Sequence, residues 1–171
     1  MYDPTIFENL KVAVENYVYD LDNLASEITI TNRVDNMEMA TMSRSFQLQF
    51  VLADEPGVEA EVVLEASLKD LAAELLEVEG ENPGCTLLVR FYMQIDDVEV
   101  ECAQIEELLH SIWDQEKPPT QTISYVYGQG SNVLMNKIEV TFNQRINEDQ
   151  MEDIPSLIDH VIESLQHLND L

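Results

Sequence analysis

The chain has 171 residues, and its 34 Asp and Glu against 8 Lys and Arg give a formal net charge of −26 at pH 7. That balance disfavours direct nucleic-acid binding, which depends on Lys and Arg displacing counterions, and it is repelled by anionic membrane surfaces. With 45% hydrophobic residues, the chain is too apolar for acidity alone to leave it disordered.

Chain length predicts one domain over residues 1–171. The N-terminus lacks the basic and apolar regions of a secretory signal, and no apolar run approaches the roughly 18 residues of a membrane span. A cytoplasmic protein is expected. Its two cysteines, Cys85 and Cys102, fall at inward strand positions and read as free thiols in a reducing compartment.

At the N-terminus, Asp3 is placed to cap a helix and Pro4 to start it. Ile6, Phe7, Leu10, Val14, Tyr17, Val18, Leu21 and Leu24 follow at helical spacing. The period then changes to two. Ile28 and Ile30 form a short strand, and residues 37–44 are extended with a bulge or turn near Ala40, where the apolar phase slips. Phe46, Leu48, Phe50 and Leu52, the turn Asp54-Glu55-Pro56-Gly57, and Val58, Ala60, Val62 and Leu64 make an antiparallel hairpin.

Ser67 caps a short helix with Leu68, Leu71, Ala72, Leu75 and Leu76 on one face. A second hairpin is expected from Cys85 to Ile95, a turn at Asp96-Asp97, and Val98, Val100 and Cys102 as the returning row. Ile105, Leu108, Leu109, Ile112 and Trp113 mark the next helix. Lys117-Pro118-Pro119-Thr120 stops it, and residues 116–121 are a possible sub-boundary. A third hairpin places Ile123, Tyr125 and Tyr127 on one row and Leu134, Ile138, Val140 and Phe142 on the other, around a loop over 128–132. An acidic connector leads to a last helix striped by Ile154, Leu157, Ile158, Val161, Ile162, Leu165 and Leu168.

The expected class is α+β, a mostly antiparallel sheet with helices packed on one face in the order α-βββ-α-ββ-α-ββ-α. Over residues 4–115 this element order and the acidity are similar to the small acidic chaperones of type III secretion, a chaperone-like resemblance of architecture.

Strand phase sends Glu59, Glu61, Glu65, Glu99, Glu101 and Glu139 away from the apolar rows, together with Arg90 and Tyr92. The expectation is an acidic sheet surface that docks a basic or extended segment of another protein, by strand addition in its sharpest form. The same pattern also describes a solvated face that discourages aggregation. Candidate binding residues are Glu59, Glu61, Glu99, Glu101, Arg90 and Tyr92, with Met37 and Met39 as an adaptable apolar contact.

No cofactor is expected. His160, Glu163 and His167 share one helix face and are weak metal candidates. Alternatives are a metal-binding protein or enzyme whose site is not readable from the sequence, and an acidic mimic of nucleic acid. A homodimer is possible, because sheet edges need covering while self-repulsion opposes association.

Overall fold

The computed structural model describes residues 5–129 and 133–171. The expected cap at Asp3 and Pro4, and part of the 128–132 loop, lie outside them. Helix α1 (Ile6–Asn23) opens at Thr5, whose hydroxyl accepts the Glu8 N–H at 3.3 Å. Its first N–H, on Ile6, goes to the Glu74 carboxylate at 2.7 Å, so a neighbouring element completes the cap. Phe7, Leu10, Val14 and Val18 recur every three or four residues and are buried as one stripe.

The strands are β1 (Ile28–Glu38), β2 (Ser43–Leu52), β3 (Glu59–Ala66), β4 (Thr86–Ile95), β5 (Thr120–Ser124) and β6 (Leu134–Thr141). They form one antiparallel sheet in the order β1-β2-β3-β4-β6-β5. Helix α2 (Leu68–Leu75) lies between β3 and β4, α3 (Val98–Trp113) between β4 and β5, and α4 (Ile154–Asn169) after a 3-10 turn at Glu148–Asp153. The α+β class, with its antiparallel sheet, is as expected.

Period-two alternation gives the sheet one apolar face, with Phe46, Leu48 and Phe50 aligned beside Ala60, Val62, Leu64, Val89 and Phe91. The stripes of α1, α3 and α4 close over it in a single core. Residues 116–121 join α3 to β5 of the same sheet.

Four segments depart from expectation. The short strand at Ile28 and Ile30 runs on to Glu38, because a bulge at Thr31 resets its register against β2. The phase slip near Ala40 is the β1–β2 turn, where Met42 takes φ 55°.

Val98–Cys102 is not a returning strand but the first turn of α3. Asp97 accepts the Val100 N–H at 3.0 Å, and the Glu101 carboxylate accepts both the Asp96 and Asp97 N–H at 2.6 Å. Carboxylates at a helix N-terminus complement its dipole, so Asp96-Asp97 starts a helix instead of turning a hairpin. The strand position beside β4 is filled by β6.

Tyr125 and Tyr127 lie past the end of β5 and do not extend its inward row. Lastly, α2 turns all of its leucines but Leu71 outward. Leu68, Leu75 and Leu76 are 49%, 66% and 74% exposed, while Asp70 and Ala73 are buried. Asp70 is fixed by the Ser67 capping box and by an ion pair with Arg145, whose guanidinium also donates to the Gly84 carbonyl at 2.8 Å. Burial works to raise its carboxyl pKa, and the Ser67 and Arg145 contacts overcome it, leaving the value lowered.

Candidate functional site

The open sheet face brings together Glu59, Glu61, Arg90 and Tyr92. Register sets Gln49, Glu61, Arg90 and Glu139 side by side across four strands, with Glu59, Tyr92 and Lys137 in the next row. Glu61 is 3% exposed, held among its cross-strand neighbours on the side of β3 opposite the apolar row. Its carboxylate accepts from Gln49 Nε2 at 2.6 Å, Arg90 Nη1 at 2.8 Å and Tyr92 Oη at 3.3 Å. Arg90 Nε reaches Glu139 at 3.3 Å, and Lys137 Nζ meets the same carboxylate at 3.2 Å. Burial and the Glu61 charge push the Tyr92 phenol up. Glu59 accepts from Thr31 Oγ1 at 2.8 Å.

The face is thus a cross-strand network of alternating sign more than a bare acidic sheet. Glu99 and Glu101 do not belong to it, since both sit on the first turn of α3. Met37 and Met39 flank the β1–β2 turn at 42% and 74% exposure, apart from the network.

A second cluster ties α1 to the sheet. Lys11 Nζ and Arg44 Nη2 both contact Asp35 at 2.9 Å, Arg44 and Lys11 pair with Glu8, and Arg33 pairs with Glu15. Arg44 also lies over the Phe7 ring at 4.5 Å. Among the described residues, every cation in an ion pair is used inside one of three structural contacts: α1 to the sheet, the open-face network, or Arg145 on Asp70. The carboxylates outside those contacts dominate the outward field.

The metal candidates do not assemble. His160 Nδ1 is engaged by the Ser156 carbonyl at 2.6 Å and its ring leans on Trp113. Among the described residues, no three His, Cys, Asp or Glu side chains converge on a point, so His160, Glu163 and His167 form no such group. Both cysteines are free thiols. Burial, then the nearby Asp70 charge, pushes Cys85 up to about 12, and burial raises Cys102, which sits on α3 and not on a strand. Raised thiols are poor nucleophiles.

Compared with known proteins, the chain matches no family model, no curated protein and no solved structure. The likeness to secretion chaperones therefore has no support from these comparisons. No helix of the described residues is long and apolar enough to cross a membrane.

The two sheet edges differ. At β1 the Ile30 N–H is taken by Asp22 at 3.1 Å, the Arg33 N–H by the Asn32 side chain at 2.9 Å, and the strand is bulged between. At β5 the inward side is anchored: Gln121 Nε2 donates to the Cys102 carbonyl and Asn136 Nδ2 to Gln121 Oε1, both at 2.9 Å. Its outer edge has no neighbouring strand and, among the described residues, no hydrogen-bond partner. Just beyond it, Tyr125, Val126 and Tyr127 are 73%, 63% and 96% exposed.

Reasoning from strand phase misses this edge, because it assigns both tyrosines to a packed row. A different signal marks it. From Pro118 to Asn136 no Asp, Glu, Lys, Arg or His occurs, in a chain with 25% charged residues.

Proposed function

We propose that this chain is a non-catalytic interaction protein that binds an extended, basic segment of another protein at its sheet. The observation that carries the reading is the distribution of charge. Among the described residues six cations are tied up in internal ion pairs, leaving Lys69 and Lys117. An approaching partner therefore meets a large excess of carboxylates, which attract Lys and Arg and accelerate encounter. The open face itself is locally compensated, since Arg90 and Lys137 sit among its glutamates. That interleaving also interrupts the carboxylate rows that mimicry of nucleic acid requires. The free thiols support a reducing compartment, the cytoplasm in this reading.

A displayed library of random extended peptides, panned against the purified protein, tests the proposal. Enrichment of Lys- and Arg-containing peptides at low salt, lost at about 1 M salt where the screening length is about 3 Å, is the expected outcome. No enrichment, or enrichment of acidic peptides, overturns it.

A further inference from the structure

We infer that the docking edge is β5, and that the segment it accepts has an uncharged centre flanked by cations. The inference rests on the interaction function proposed above and adds where the segment lies and what its chemistry is. An unpaired edge offers a row of N–H and C=O groups to a peptide backbone, and main-chain pairing supplies affinity without demanding a particular sequence. Of the two edges, only β5 keeps that row free of hydrogen-bond partners among the described residues. Its Thr120, Thr122 and Ser124 are short and exposed, so they leave the ladder accessible.

The chemistry of the occupant follows from the charge pattern. A charged side chain at the centre of the segment would lie against β5, which carries no charge of its own, and Lys137 beyond Thr122 is already paired with Glu139. Such a side chain would lose hydration without gaining a partner. At the ends the situation reverses. Glu116 and Lys117 before β5 cancel, so the preference for cations at the ends comes from the chain's net charge of −26 and from the two tyrosines just beyond Ser124. The rings of Tyr125 and Tyr127 stand in solvent, where their faces are open to an Arg or Lys cation. Charge therefore favours a foreign basic segment over a second copy, since two copies each carrying a net charge of −26 repel one another.

The decisive experiment pans two peptide libraries whose randomised centre matches the five residues of β5, one flanked by Lys pairs and one by Glu pairs. Amide hydrogen exchange of the intact protein is then followed with the enriched peptide bound. Enrichment from the Lys-flanked library with uncharged centres, together with new protection across Thr120–Ser124, is expected. The double variant Tyr125→Ser, Tyr127→Ser should weaken that peptide about tenfold while remaining folded.

Enrichment of charged centres, or protection confined to β1 or to other strands, overturns the β5 assignment and leaves the interaction function standing. No enrichment from either library overturns both. A dimer in sedimentation whose β5 amides are already protected without peptide overturns the foreign-segment inference in favour of self-pairing.

Discussion

The two edges of the sheet solve the same problem in opposite ways. β1 is eleven residues long, and a strand of that length would template aggregation if left bare. It is bulged at Thr31, its Ile30 N–H is taken by Asp22, and its inward charges are bolted to α1 through Lys11, Arg33 and Arg44. β5 has five residues, no charge along it, and exposed tyrosines at its end. The lesson is that shortness alone protects β5 from unselective pairing, while β1 needs side chains to do so. Three of the ion-paired cations, Lys11, Arg33 and Arg44, serve the edge that the chain keeps closed.

Breaking the anchor of the closed edge should have the largest effect. Arg44→Ala removes one of the two partners that Glu8 and Asp35 share and the contact over Phe7, leaving two half-buried carboxylates with Lys11 and, for Asp35, with Arg33 at 3.9 Å. A loss of about 2 kcal/mol is expected in urea denaturation, allowing for the partial exposure of the group. Hydrogen exchange should speed up in β1 and leave β5 unchanged; uniform acceleration would mean that the cluster does not belong to the edge.

Acid should loosen the same edge. Burial works to raise the carboxyls of Glu8 and Asp35, and the contacts from Arg44 and Lys11 overcome it and hold both below their ordinary values. Groups with lowered folded values bind fewer protons than in the unfolded chain, so their contribution is complete above about pH 5. It fades as pH falls through the folded values. The urea midpoint should therefore drop below about pH 4, with β1 amides losing protection before those of β4 and β6. Stability rising in that range would contradict the ion-pair assignment.

The smallest effect tests the guard itself. Asp22→Ala frees the Ile30 N–H and should cost about 1 kcal/mol or less. Its sharper consequence is a second open edge. A β5-binding peptide should then also protect β1 amides; if β1 stays silent, the bulge at Thr31 is the effective guard.

Much of the fold was legible because burial imposes its period on the chain. The stripes of α1 and α4, the inward rows of β2, β3 and β4, and the turns at Asp54–Gly57 and near Ala40 all follow from spacing of apolar residues. The site was less legible, because strand phase identifies which way Glu61 points but not which cations lie opposite. Arg90 and Lys137 reach its network only through the pairing of β4 with β3 and β6. The segment Val98–Cys102 shows the limit most clearly. Five residues alternating Val with Glu fit a strand or a helix turn, and local propensity does not separate the two.

By itself, then, the sequence determined the α+β class, the buried faces of its long elements and the acidity of its surface. These depend on composition and on periodicities of two and 3.6 that each segment carries alone. Tertiary structure decided which strand lies beside β4, which glutamates are neutralised, and which edge stays open. Those outcomes depend on residues distant in the chain meeting across the sheet, and no local pattern encodes that pairing.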